Sequence, residues 1–202
     1  MAEYRRKNFR YQLSSNNCHT VTAGCHIELD EFSGHVIVHS LDRERADLIW
    51  LNVSVYDVAK LFRAAPHRIL WLRVLDVNDN APAFRLTTYT IEIRSAGDIL
   101  EENEESALIF SENAVDRDAG ENGTLTYELV RNHYDLFYVE KKSGKVWMPL
   151  NLLRDDQHEA CRDVFHLRLL CKDNGLPVFR FTTVDIYVKV IFVPHFWSNY
   201  FF

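Results

Sequence analysis

Between Leu75 and Phe84 the chain reads LDVNDNAPAF. Asp76, Asn78, Asp79 and Asn80 place four oxygen-bearing side chains within five positions, with no cationic side chain among them. In isolation such a stretch is an Asx-rich turn ahead of a proline. Three more acidic stretches argue for another use: LDRE (Leu41 to Glu44), DRDAGENG (Asp116 to Gly123) and Asp173 in KDNG. Gathered in one place, Asp42, Glu44, Asp76, Asp79, Asp116, Asp118 and Asp173 would repel one another. Two unit charges at 4 Å cost about 4 kcal/mol at an effective dielectric near 20. Calcium removes that cost, because it accepts roughly 6–8 oxygen ligands in a flexible geometry, from carboxylates, amide oxygens and backbone carbonyls. Magnesium demands a tighter octahedron and keeps its waters, so crowded carboxylates favour calcium.

Two other readings of these acids fail on spacing. Counted from Asp76, an EF-hand loop would need glycine at position six and glutamate at position twelve, where the chain has Ala81 and Thr87. The loop counted from Asp116 reaches Tyr127 at its twelfth position. Asp116 and Asp118 could serve as an acid–base pair. No Ser/His/Asp order, nucleophile elbow or glycine-rich phosphate loop accompanies them, so the acids read as ligands and the protein as a non-enzyme.

The elements that must carry these clusters are strands. Val184 to Val190 reads VDIYVKV, a strict alternation of a half-buried strand, and Leu70, Leu72 and Val74 alternate just ahead of Asp76. Strand-like runs cover Thr124 to Val130, Leu136 to Lys141, Gly144 to Met148 and Val164 to Cys171. Ser143-Gly144 and Asp173-Asn174-Gly175 punctuate them. No long segment has a helical period, and the acidic run EENEES (Glu101 to Ser106) reads as a solvated loop. The chain is expected to be all-β.

The two halves repeat. FRYQL (Phe9 to Leu13) matches LTYEL (Leu125 to Leu129), SGHVIVHSLDRE matches SGKVWMPLNLLRDD, and LNVSVYD matches LRLLCKD. Tyr11 lies 65 residues before Asp76, and Tyr127 lies 65 before Phe192. Repetition on this scale predicts an array of similar domains. Ten residues precede Tyr11, whereas 43 separate Phe84 from Tyr127, so the first copy is expected to lack about two strands. The expected division is a partial repeat over 1–80, a whole repeat over 81–192 and an aromatic tail over 193–202.

Hydrophobic residues make up 47% of the 202-residue chain, enough for a core. The formal charge of −6, from 23 basic and 29 acidic side chains, excludes the basic stripe of a nucleic-acid surface. The opening MAEYRRKNFRYQL has no apolar run of the kind a secretory signal needs. The late apolar stretch from Val188 is broken by Lys189, Pro194, His195 and Asn199, too short to span a bilayer. Of the four cysteines, Cys18 and Cys25 are spaced to close a small loop. With His19 and His26 beside them, a disulfide, a zinc site and free thiols all stay open. Cys161 and Cys171, ten positions apart, cannot bridge along one strand. Asn52-Val-Ser54 and Asn122-Gly-Thr124 fit the glycosylation pattern. One falls in an expected strand and the other in the expected metal loop, so neither is expected to be used efficiently.

LDRE, DVNDNAPAF, DRDAGENGTLTYEL and KDNGLP, in this order and spacing, resemble the motifs of cadherin extracellular repeats. The resemblance implies tandem Greek-key, immunoglobulin-like β-sandwiches, the first truncated at its N-terminus, whose junctions bind three calcium ions. By resemblance Asp42 and Glu44 are ligands from the upper domain. The Val77 carbonyl, Asn78, Asp79 and Asn80 are ligands from the linker, and Asp116, Asp118, the Asn122 carbonyl and Asp173 are ligands from the top of the next domain. Asp76 falls to a supporting or turn-forming role. The family's glutamate from the first strand region of the upper domain would precede Met1. One complete site and up to two weakened ones are therefore expected. At the far end of the second repeat the family motif reads Arg154-Asp155-Asp156 and the strand-end glutamate aligns with Ser95, so no calcium junction is expected there. The implied function is calcium-dependent, homophilic cell–cell adhesion with other cadherin molecules, on the extracellular side of the plasma membrane. A non-adhesive calcium-binding spacer, or a fragment without a role of its own, is the alternative.

Overall fold

The computed structural model describes residues 8–18, 24–59, 62–94, 101–102, 105–154 and 164–191. The aromatic tail, His19, Ser95, Asp155, Asp156 and Cys161 lie outside them. Two compact units divide between Asp76 and Val77. Among the described residues no helix is long and apolar enough to cross a membrane.

The first unit contains β1 (Phe9–Asn16), β2 (Cys25–Leu29), β3 (Val36–Leu41), β4 (Leu48–Asp57) and β5 (Phe62–Arg73). β4 runs between β1 and β5, antiparallel to both, and β2 pairs with β3 as a hairpin. Alternation along β4 turns Ile49 and Leu51 inward, where they pack with Cys25, Leu13, Ile27, Leu72 and Val74. Cys18 and Cys25 form a disulfide. The cysteines are thus not thiolate ligands, and the zinc reading that combined them with His19 and His26 does not hold.

The second unit contains β6 (Thr88–Ile93), β7 (Glu101–Glu102), β8 (Ser106–Phe110), β9 (Leu125–Arg131), β10 (Tyr138–Val139), β11 (Val146–Pro149), β12 (Val164–Asp173) and β13 (Phe181–Val190). One sheet has the order β10-β11-β8-β7 and the other β6-β13-β12-β9, with β6 parallel to β13. Phe110, Val146 and Met148 of the first sheet and Phe165, Leu167 and Ile186 of the second bury their side chains in one core. This is a β-sandwich. Tyr127 is buried in it, and its hydroxyl accepts the Ala114 N–H at 3.2 Å.

The repetition in the sequence is a repetition in space. β1, β4 and β5 pair as β9, β12 and β13 do. A Cβ on Gly34 would lie 2.9 Å from the Tyr11 ring, and one on Gly144 2.9 Å from the Tyr127 ring. Both glycines have positive φ, 74° and 68°, a backbone that favours glycine. The Gly34 N–H reaches the Asp30 carbonyl at 2.9 Å, and the Gly144 N–H reaches the Glu140 carbonyl at 2.9 Å. The cores differ. Ile186 on β13 is fully buried, whereas Leu70, its counterpart on β5, is 41% exposed.

Two local readings are corrected. Glu101 and Glu102, read as part of a solvated loop, pair with Leu108 and Ala107 of β8 and satisfy its outer backbone groups. The run Leu136 to Lys141 is strand only at β10. A 3-10 turn at His133–Asp135 precedes it, held by the Asn132 side chain, which donates to the Phe137 carbonyl at 2.7 Å and accepts its N–H at 3.1 Å. The amide mimics a backbone pairing, which hydrophobic periodicity does not report.

Candidate metal centre

Val77 to Asn80 have no strand partners, so their polar groups must be satisfied by loops. Just beyond them, Ala83 and Val115 exchange two backbone hydrogen bonds at 2.9 Å, which draws the segment alongside Asp116. Asn80 is bound twice to Asp118. Its backbone N–H donates to Oδ2 at 3.1 Å and its amide to Oδ1 at 2.6 Å. Asn78 Nδ2 donates to Asp173 Oδ1 at 3.2 Å and to the Val178 carbonyl at 3.0 Å. The Asn78 carbonyl accepts Arg180 Nε at 2.8 Å.

The three acids are set by short turns. Asp116 Oδ1 accepts the Asp118 N–H at 2.9 Å, an Asx turn. Asp173 ends β12 and takes the Gly175 and Arg180 N–H groups, both at 2.8 Å. Only 8% of Asp118 and 1% of Asp173 is exposed, although carboxylates are seldom buried without a counter-charge. Burial pushes the Asp116 carboxyl above its ordinary 3.8, and the charges of Asp118 and Asp173 push it the same way, against the hydrogen bonds from the Asp118 and Arg117 N–H groups.

Two acceptors in this cluster are buried and have no partner: Asn78 Oδ1 and Asp116 Oδ2. An unmet buried acceptor costs roughly 1–3 kcal/mol, more when charged. The unmet atoms are oxygens and the surrounding charge is negative, so the group that fits is a hard cation.

Asp79 is exposed, with Oδ1 accepting Asn80 Nδ2 at 2.9 Å, and the Val77 carbonyl accepts the Asp79 N–H at 2.8 Å. Asn122 Oδ1 would stand 3.0 Å from a Cβ on Gly175. Asp42 and Glu44 belong to the first unit. Asp42 Oδ2 pairs with Arg45 at 3.1 Å, while Glu44 and Asp76 both meet Arg43.

Sequence reasoning missed Arg180, Gly175 and Glu121. Arg180 shows no local signal, since it reaches Asn78 only through the loop after Asp173. Gly175 was read as a turn residue, but its need is steric. The Glu121 carbonyl accepts the Asn174 N–H at 3.2 Å and so joins the two acidic loops. Asp57 was also missed. It ends β4 as Asp173 ends β12, is buried, and accepts the Ala59 N–H at 3.0 Å in the same turn.

Residues 95–191 match the family model described as Cadherin domain. Protocadherin Fat 1 of Homo sapiens is 37% identical over 123 residues, 61% of this chain and 2% of that protein. The chain thus contains a cadherin domain. Protocadherin alpha-11 of Pan troglodytes is 31% identical over 139 residues, 67% of this chain and 14% of its own length. The chain thus spans a small part of the curated cadherins it matches. Among solved cadherin structures, mouse Cadherin-23 EC22-24 aligns with a TM-score of 0.66 at 26% identity, over 92% of this chain and 53% of that one. Human CDH23 EC21-23 aligns with a TM-score of 0.72 at 24% identity, over 91% and 58%, and supports the fold alone. Cadherin repeats are adhesion-type, calcium-dependent domains, and the acidic groups of this chain could hold a metal.

Proposed function

We propose that this chain is a calcium-binding segment of a cadherin ectodomain, acting in calcium-dependent, homophilic adhesion at the extracellular side of the plasma membrane. Its repeats are read as a partial one over 1–80 and a whole one over 81–192, followed by the tail at 193–202. The observation that carries the calcium reading is the pair of buried, partnerless oxygens, Asn78 Oδ1 and Asp116 Oδ2, beside the buried carboxylates of Asp118 and Asp173.

The proposed ligands are the Val77 carbonyl, Asn78, Asp79, Asn80, Asp116, Asp118, the Asn122 carbonyl and Asp173. Asp42 and Glu44 are added on family resemblance alone. When bound, calcium supplies the positive charge these oxygens lack. The chain's own part is to present them. Asn78 and Asn80 tie the linker to Asp173 and Asp118, so neutralising those acids holds the linker in one conformation. In a tandem array that restraint removes a hinge, which is the stiffening role the resemblance implies. The disulfide in the first unit agrees with an oxidising compartment.

Calcium titration of the purified chain by calorimetry tests this reading, with Asp118→Ala as control. Saturable uptake near one ion per chain, lost in the control, supports it. No uptake at about millimolar calcium, a concentration suited to extracellular modules, overturns it. Calcium uptake by chains that do not cluster beads in calcium would favour the spacer over the adhesive role.

A further inference from the structure

A second cluster of metal-binding side chains lies in the first unit, on the β2–β3 hairpin, and owes nothing to the calcium reading. His26 and Glu28 are two apart on β2 and so share one face. On β3 the register is broken: His26 faces Ser40 and Ile27 faces Val38, which leaves His39 as the extra residue of a β-bulge. Bulges re-aim a side chain. Here the His39 ring lies against that of His26, with centroids 4.4 Å apart and planes 23° apart. Both rings turn Nε2 toward one carboxylate. His26 Nε2 is 3.3 Å from Glu28 Oε1, and His39 Nε2 is 3.4 Å from Glu28 Oε2.

Those separations have a chemical meaning. A charge-assisted hydrogen bond closes to about 2.7–2.9 Å. Ligand atoms on a zinc tetrahedron with bonds of roughly 2.0–2.1 Å stand about 3.3 Å from one another. The three ligating atoms lie within 4.8 Å of one another, and binding one ion would swing the two rings out of their stack so that both Nε2 lone pairs converge. A metal ion uses both imidazoles neutral and the carboxylate ionised. All three side chains are partly solvent-accessible, which leaves room for water as a further ligand.

We propose that His26, Glu28 and His39 form a surface site for a divalent transition metal, zinc being the best match to two imidazoles and a carboxylate. The site fastens the bulged hairpin across its strands. Its affinity is set by three ligands and is weaker than that of a closed four-ligand structural site.

The test is calorimetric titration of ZnCl2 into the full chain in the presence of excess calcium, which separates this site from the proposed calcium centre. Wild type should take up one zinc ion saturably. His39→Ala and Glu28→Gln should each weaken uptake by more than about tenfold, while His35→Gln, an exposed histidine outside the cluster, should leave it unchanged. Circular dichroism and metal-free unfolding midpoints confirm that the variants are folded; Glu28→Gln preserves side-chain size. Absence of saturable zinc uptake by the wild type overturns the proposal. So does zinc uptake by folded His39→Ala and Glu28→Gln at wild-type affinity, which would place the ion elsewhere.

Discussion

Gly175 passes so close to Asn78 that a Cβ at this position would stand 1.9 Å from Asn78 Nδ2 and 2.7 Å from Asn78 Cγ. The glycine therefore admits the linker amide to the acidic loop, where Asp173 receives it. Gly175→Ala should displace Asn78 and cost roughly 1–3 kcal/mol by overpacking. On the calcium reading it should also lower calcium affinity by more than about tenfold. Urea unfolding with and without calcium checks both effects, and an unaltered calcium dependence would contradict the role given to Asn78.

The Cys18–Cys25 disulfide closes a loop of eight residues, counted inclusively. Loop-closure entropy assigns a bridge of that size about 2.5 kcal/mol. Cys18→Ser combined with Cys25→Ser should lower the stability of the first unit by about that much and leave the second unaffected. Hydrogen exchange resolved by segment would show protection lost in β2 and β4 and kept in β12 and β13.

Asp185 on β13 faces Arg168 across the strand pair and accepts its Nε at 2.8 Å and Nη2 at 3.0 Å. The Arg168 hydrogen bonds, followed by that of His166 at 2.7 Å, pull the Asp185 carboxyl from 3.8 to about 2. A depressed carboxylate contributes stability that is fully present above its unfolded value and is lost as pH falls through the folded one. The contribution should therefore fade between pH 3.8 and about 2. Asp185→Asn should flatten the acid limb of stability in that window and change little near neutrality beyond a constant offset.

Ile186 and Leu70 hold equivalent places in the two repeats with opposite burial. Ile186→Ala should cost about 2–5 kcal/mol, the range for a large core side chain. Leu70→Ala should cost less than about 1 kcal/mol, because much of that side chain already meets water. Equal losses at the two positions would show that the Leu70 face is covered in solution.

Cys171 is buried beside Tyr127, and burial pushes its thiol up to about 11 and the Tyr127 hydroxyl up to about 12. Only the thiolate is nucleophilic. Cys171 should therefore resist alkylation by iodoacetamide near pH 8 in the folded chain and react once urea unfolds it. Rapid labelling under native conditions would mean that β12 opens readily.

Strand positions and the repeat were legible in the sequence because burial on one face of a sheet imposes a period of two. Val184 to Val190 falls within β13, and Val164 to Cys171 within β12. The acidic clusters were legible because oxygen-rich turns are local in sequence. Glu101–Glu102 and the start of the run Leu136 to Lys141 were misread because their pairing depends on groups that periodicity does not record, the outer edge of β8 and the Asn132 amide acting as backbone.

By itself, then, the sequence determined that the chain is all-β, that it repeats, and which oxygens stand at its loop ends. Tertiary structure decided which of them meet. Asn80 reaches Asp118 across 38 positions and Asn78 reaches Asp173 across 95, through a gap that only a glycine at 175 leaves open. It also decided that His39 becomes the bulged residue that faces His26 and Glu28. Both outcomes depend on how backbones approach in space, and a one-dimensional pattern of polarity carries no information about that distance.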